Sequence, residues 1–331
     1  MRYAWVDAHR GQFAITRMCR LLQVSRTGYC QWRGRAPSAR SVANTVLDVQ
    51  VAAIHAQSRR SYGRKRIVRQ LHAQGLHPGH ERVRKSLLRQ KLRPVYRRPY
   101  RVTTDSNHAE PVAANILNRR FEGWRINRAW VGDITFIATA EGWLYLAVIM
   151  DLASRRIVGW AMSERIKADL VCQALRMAYW RRKPVAGLIM HTDRGSQYAS
   201  GTHCKLIKDY GMVQSMSRKA NCWDNAAMES FFKTLKVERV HQVQYQSRAQ
   251  ARIDVVNWIE GFYNPHRRHS SLGYLSPEQF EHEFAAELES RRSELLPHSR
   301  QTARRVRPMR ETKAKTRHPN KRRISINPEI H

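Results

Sequence analysis

The sequence predicts a mixed α/β domain, a sheet with helices on its faces, preceded by all-α helix-turn-helix-like modules. Three observations predict it. Between residues 129 and 163, three runs rich in β-branched and aromatic residues follow one another across short polar turns. From there to residue 262, helical and strand patterns alternate, as a mixed sheet requires. Before residue 93 the sustained periodicity is helical, and the charge there is almost all positive.

In chain order, ITRMCRLLQVSRTGYCQWR (15–33) carries an apolar-periodic helix, a break near Val24–Ser25, and a second short helix with Arg26, Tyr29 and Trp32. That is helix-turn-helix grammar, within an expected segment 1–40. An expected basic helical domain, 41–95, holds a helix near 42–57, then GRKRIVRQLHAQG (63–75), which ends at a glycine, and GHERVRKSLLRQKL (79–92). Its Arg and Lys residues, among them Arg64, Lys65, Arg66 and Arg69, lie opposite Ile67, Leu71, Val83, Leu87 and Leu88. Residues 96–128 carry prolines and polar residues with no sustained period and read as a linker.

The expected α/β domain spans 129–290. Its first strands are AWVGDITFIAT (129–139), WLYLAVIMDL (143–152) and RRIVGWAMS (155–163). A helix near 167–182, the strand GLIMHTD (187–193), a helix near 200–210, a short strand around MVQSM, a helix opened by Asp224–Asn225 and a long helix near 247–262 follow. Residues 291–331 are basic and poor in large apolar residues, and are expected to be a tail that is disordered when unbound.

Charge is distributed unevenly. Residues 1–100 hold 22 Lys and Arg against 3 Asp and Glu, and residues 300–331 hold 11 against 2, while residues 101–299 are nearly balanced at 27 against 21. Basic flanks around a balanced centre predict a polyanion gripped by the ends and presented to the middle, with nucleic acid the first expectation. Local excess of this size favours DNA contact, mostly through phosphates, by Arg26, Arg64, Lys65, Arg66 and Arg69 over the alternative of a solvated basic surface on a three-helix bundle. No basic amphipathic helix with a clean apolar face argues for a membrane, and the longest apolar run, WLYLAVIM (143–150), is too short to span one. Five scattered cysteines form no C-x-x-C pair, and the N-terminal MRYAWVDAHR lacks a signal pattern, so a cytoplasmic, nucleoid-associated protein is expected.

Three acidic residues are placed unusually for so basic a chain. Asp133 lies inside a strand, where an unpaired charge is costly. Asp193 follows a buried-looking strand at the start of DRGSQY, where α/β folds commonly site their chemistry. Glu229 projects from a helix beside an apolar stripe of Met228, Phe232 and Leu235, with Lys233 and Lys236 on its own face. Three carboxylates on ordered elements suit Mg²⁺ or Mn²⁺, two of which activate an attacking oxygen and stabilise a leaving one. Spacing alone leaves open a strand-end Asp133, a turn or cap Asp193 and a solvated Glu229.

The order Asp133, Asp193, Glu229, with 35 residues between the last two, resembles the acidic triad of the DDE transposase and retroviral-integrase superfamily. The surrounding words WVGDITFI, WLYLAVIMDLASRRIVGW, HTDRGSQYAS, SMSRKANCWDNAAMESFFKTLKVE and YNPHRRHSSLGYLSPEQF resemble the catalytic motifs of bacterial insertion-sequence transposases encoded in two overlapping frames. FAITRMCRLLQVSRTGYCQW and RRSYGRKRIVRQL match the same proteins, so the likeness to the downstream-frame product covers about residues 3–285.

This resemblance implies an RNase H-like catalytic core in which Asp133, Asp193 and Glu229 are the catalytic metal ligands and Lys236, two turns beyond Glu229, contacts the DNA end; Lys233 is a helper or a charge balance. It implies 3′-end cleavage and strand transfer, DNA partners (the element's terminal repeats and a target), a homo-oligomer on DNA, and the upstream-frame product as a further partner. A DNA-binding regulator, or a nuclease without strand transfer, is the alternative. Two features depart from the family: no heptad run accompanies the helices, and the basic tail extends past the usual end. For Asp224 an N-cap role is expected alongside a catalytic one, His191 is expected to be structural, and the H-x-x-H of PHRRH (265–269) is expected in a loop near the site or the DNA rather than at zinc.

Overall fold

The computed structural model describes residues 1–95, 113–218 and 222–295. Three short helices open the chain: α1 (Arg2–Ala8), α2 (Ile15–Leu21) and α3 (Arg26–Gly34). They close on a small core of Val6, Met18, Cys19 and Tyr29. The break between α2 and α3 falls at Ser25, whose hydroxyl accepts the Gly28 N–H at 3.2 Å and so starts the second helix. Tyr29 reaches back across the unit to donate to Asp7 Oδ1 at 2.8 Å.

Next come α4 (Ala39–Gln57), α5 (Arg64–Ala73) and α6 (His80–Arg89). Each turns an apolar stripe inward: Leu47, Val51 and Ile54; Ile67, Val68 and Leu71; Val83 and Leu87. Ser38 caps α4, Gly75 takes the positive φ of 79° that the chain needs after α5, and Arg89 grips Asp48 with two hydrogen bonds of 3.0 and 2.6 Å.

The sheet has five strands in the order β3-β2-β1-β4-β5: β1 (Ala129–Thr139), β2 (Gly142–Asp151), β3 (Ile157–Ser163), β4 (Ile189–Thr192) and β5 (Val213–Met216). Strands β1 to β3 pair antiparallel; β4 and β5 join parallel. Helix α7 (Ala168–Arg182) covers one face, joined by α8 (Ser196–Ala199) and α9 (Gly201–Asp209), around Trp130, Ile149, Leu175 and Met190. Gly159 makes this approach possible, because a Cβ there would strike the backbone of Ala174 and Ala178 in α7. The opposite core gathers α10 (Ala226–Glu238), α11 (Arg248–Trp258), a π turn (Ile259–Tyr263) and the inward stripes of α4 to α6 around Val131, Leu146, Val148 and Met150. Helix α12 (Pro277–Leu295) ends the described chain. No helix among the described residues is long and apolar enough to cross a membrane.

Three outcomes differ from the sequence reading. The expected helical and α/β domains share one apolar core and lie in one compact unit, Met1–Glu283, with a second unit, Phe284–His331, beyond it. The expected linker is ordered where described: Leu117 is fully buried, and the Ile116 and Leu117 N–H groups donate to Ser215 Oγ at 2.9 and 3.2 Å. Helix α12 runs past the expected boundary at residue 290 to Leu295; residues 296–331 of the expected tail, and 96–112 of the expected linker, lie outside the described residues.

The helices meet the α/β elements at PHRRH. Tyr62, just before α5, donates from its hydroxyl to the His266 carbonyl at 3.0 Å and accepts the Arg268 N–H at 2.8 Å. Arg268 donates to Gln70 of α5 at 2.7 Å and to the Tyr274 carbonyl at 2.7 Å. This loop is therefore a joint, and Arg267 and Arg268 are buried in it.

Candidate active site

Parallel pairing of β1 with β4 matches Val131 to His191, and Asp133 and Asp193 each stand two residues beyond that pair. The two aspartates thus hold equivalent positions on neighbouring chains that run about 4.8 Å apart. Here β4 ends, at Thr192, and α10 packs against β1. Gly132 has no side chain because Met190, Thr192 and Tyr198 occupy that space. The hydroxyl of Tyr198 lies 3.6 Å from where a Gly132 Cβ would stand, so the buried ring backs the pair.

Both aspartates are half-buried. Asp133 Oδ1 accepts the Ile134 N–H at 2.7 Å, and Asp193 Oδ1 accepts the Gly195 N–H at 2.9 Å, which fixes the turn into α8. Burial, then the charge of Asp193, with a smaller contribution from Glu229, holds the Asp133 carboxyl well above the usual range; the Ile134 N–H and the Lys236 ammonium pull the other way. Tyr198 is raised well above its ordinary value by burial first and by both aspartates next.

Glu229 lies in the first turn of α10 and is exposed, its carboxyl raised by partial burial. It reaches Asp133 electrostatically, yet among the described residues no three His, Cys, Asp or Glu side chains form a group that could hold one metal ion. The structure therefore brings Asp133 and Asp193 together through strand register, and leaves Glu229 beside them without closing a ligand cluster. Asp193 and Glu229 both act on Asp133 as like charges, and carboxylate oxygens are donors of the kind that a hard divalent cation takes.

Asp224 and Asn225 precede α10 in a 3₁₀ turn, Cys222–Asn225. Asp224 does not cap the helix, contrary to that expectation; Asn225 stands at the cap position and makes no side-chain cap bond. Buried Asp224 instead accepts from Arg218 (N–H 2.9 Å, guanidinium 3.0 and 3.0 Å), Asn115 (2.9 Å) and Arg119 (2.9 Å), and these, the Arg218 side chain first, hold its carboxyl far below the usual range. Its own carbonyl receives His191 Nε2 at 3.0 Å, while His191 Nδ1 meets Ser215 at 2.9 Å. His191 is structural, as expected, and burial lowers it to about 4. Asn225 Nδ2 approaches the Gly132 carbonyl at 3.5 Å, tying the start of α10 to the residue before Asp133. Asn115, Arg119 and Asn225 were missed as positioning residues; the Asp-Asn pair opening a helix was the one signal for any of them.

The expected DNA contacts divide into two groups. Arg26, Arg64, Lys65, Arg69 and Lys233 are exposed, Arg69 with its guanidinium 5.3 Å from the Tyr274 ring centre. Arg66 turns inward instead, 3.8 Å from Glu238 and over the Tyr62 ring, because α5 packs on the joint. Lys236 is likewise buried, its Nζ 4.6 Å from the Phe136 ring centre, where burial lowers its pKa and the Asp133 charge opposes that.

Family models place this fold in a class. An integrase core domain model matches residues 125–222, a second integrase core domain model matches 210–277, and an HTH-like domain model matches 42–100. The chain is 44% identical over 283 residues to the transposase InsF for insertion sequence IS3A of Escherichia coli (strain K12), covering 85% of this chain and 98% of that one. It is 42% identical over 267 residues to the insertion element IS600 uncharacterized 31 kDa protein of Shigella sonnei, covering 81% and 98%. This chain belongs to the insertion-sequence transposase family that includes the IS3 InsF proteins. Among solved structures it is similar to a chain of the simian T-cell lymphotropic virus intasome in complex with PP2A regulatory subunit B56 gamma (TM-score 0.41, 16% identity, 70% of this chain and 74% of that one) and to the catalytic core domain of BIV integrase (TM-score 0.35, 17% identity, 51% and 99%).

Proposed function

We propose that this transposase cuts one DNA strand at each end of its element and joins the freed 3′ ends to a target, using Asp133, Asp193 and Glu229 as the catalytic carboxylates. The observation that carries the proposal is the register match of Asp133 and Asp193, with Glu229 on the helix packed beside them. In the first reaction a water oxygen bonds to phosphorus and the 3′ oxygen leaves as a hydroxyl. In the second, that hydroxyl attacks a target phosphodiester and displaces another 3′ oxygen. No covalent bond to protein forms in either.

The three carboxylates would hold Mg²⁺ or Mn²⁺, two ions, whose bound charge stabilises the attacking and leaving oxygens. The chain's own groups fix the geometry: Gly195 orients Asp193, Asn225 ties α10 to β1, and Asp224 locks the turn before α10 to the 115–119 strap. Exposed Arg26, Arg64, Lys65, Arg69 and Lys233 grip phosphates, and Lys236 balances Asp133 until DNA draws it outward. We assign 1–40 and 41–95 to DNA binding and 129–290 to catalysis. A homo-oligomer on DNA, aided by the upstream-frame product, brings two ends together in the cytoplasm.

Purified protein incubated with labelled DNA carrying candidate ends, with Mg²⁺ or Mn²⁺, tests this. Nicked and joined products that vanish in Glu229→Gln are expected; DNA binding with no products in wild type overturns the assignment for this chain alone.

A further inference from the structure

A second site lies on the other flank of α10. A cavity of about 370 Å³ is lined by three arginines from three separate elements, Arg66 of α5, Arg155 of the β2–β3 turn and Arg267 of the joint, and by hydroxyls that include Ser230 and Thr234 of α10 and Ser271. One carboxylate lies within ion-pair distance of these guanidiniums among the described residues: Glu238, bound to Arg267 through two hydrogen bonds of 2.8 and 2.7 Å and 3.8 Å from Arg66. Arg155 donates to the Phe121 carbonyl at 3.4 Å and has no ion pair among the described residues. All three charges converge, since His269, which also lines the cavity, is held well below its usual range by burial first and by Arg267, Arg66 and Arg155 after it.

Such a cavity has a net positive charge, planar donors and small hydroxyl walls, and its size is within the usual range for small-ligand pockets, roughly 300–1,000 Å³. That chemistry fits a phosphodiester, with the guanidiniums as forked donors and the serines filling remaining lone pairs. We propose that the cavity holds a backbone phosphate of the DNA strand whose reacting bond lies at the carboxylates across α10. Ser230 follows Glu229 directly in sequence, so the helix itself links the two sites. The inference rests on the transposase reading for the identity of that strand, and the cavity's preference for phosphate stands apart from it.

The test is the salt dependence of binding to a fluorescein-labelled duplex, read alongside metal-dependent cutting of the same DNA. Loss of one phosphate contact lowers the slope of log affinity against log salt by about 0.9. Arg155→Gln is expected to show that drop with an unchanged melting temperature, and Arg155→Lys to recover the slope in large part. Ser271→Glu, an exposed position that needs no refolding of the joint, is expected to weaken binding in the same direction and decides the matter if Arg155→Gln unfolds. An unchanged slope in Arg155→Gln and Ser271→Glu with cutting retained overturns the cavity assignment and leaves the transposase reading intact. A lowered slope in a wild-type background that cuts no DNA supports the phosphate site while overturning the strand assigned to it.

Discussion

Arg267 and Glu238 form a two-bonded ion pair, 2.8 and 2.7 Å, with both side chains 10% exposed or less, at the meeting of the joint with the end of α10. Glu238 also neutralises Arg66 at 3.8 Å, so the glutamate serves two cations while each arginine has, among the described residues, this one carboxylate.

That asymmetry makes the two deletions unequal. Removing one partner of a buried pair costs about 3–5 kcal/mol, most of it for the charge left behind. Glu238→Ala strands two guanidiniums and Arg267→Ala strands none, since Arg66 then inherits Glu238. Urea denaturation is expected to rank Glu238→Ala as the less stable, with Glu238→Leu/Arg267→Met recovering much of the loss; equal losses would show that Arg66 is not part of the pair.

The buried histidines predict acid lability. Burial lowers His191 and His203 from 6.5 to about 4, and lowers His269 as well. Between those values the unfolded chain binds protons that the native one does not, so stability rises with pH across that window and falls on acidification from about 6.5 to 4. Each of His191 and His203 contributes up to about 3 kcal/mol of that change. Melting temperatures measured across this range should fall steeply in wild type and less steeply in His203→Gln.

Asp224 carries the opposite titration. Its carboxyl is depressed, first by the Arg218 hydrogen bonds, so its stabilisation is present above the ordinary Asp range and is lost as pH falls below it. Asp224→Asn is expected to lose about 1–3 kcal/mol at neutral pH. Because a neutral Asp224 and an Asn differ little, the gap to wild type should narrow progressively as pH falls below the ordinary Asp value of about 3.9, after the histidine effect, common to both proteins, is accounted for. A constant gap at every pH would assign the loss to packing.

Crowded carboxylates predict a divalent-ion effect on folding that needs no catalysis. Mg²⁺ or Mn²⁺ is expected to raise the melting temperature of wild type and not of Asp133→Asn, while Asp133→Asn without metal melts at or above wild type because one of the repelling charges is gone. Equal metal responses in the two proteins would remove Asp133 from the ligand set.

The main strands were legible because their local sequence already fits a half-buried pleat: AWVGDITFIAT became β1 over the expected residues, and the Glu229 helix was readable from Met228, Phe232 and Leu235. Long-range features were not legible. Residues 113–119 have no periodicity, and what orders them is Ser215 and Asp224, about 100 residues away. Helix α12 escaped notice because its charged residues mark no clear apolar face. Lys236 shows the limit of a helical wheel: the wheel put it on Glu229's side, but burial against Phe136 depends on β1 losing its β4 neighbour.

The shared interior of α4–α6 and the sheet, bolted at Tyr62, gives this transposase the character of a caliper. One jaw is the basic helical surface, the other the aspartate pair, and the span between them is set when the chain folds rather than by a slack tether. On the function proposed above, the number of base pairs from a gripped sequence to the cut bond would be a fixed length of the protein. Shortening or loosening the Tyr62 bolt would blur the position of the cut before it weakened the grip.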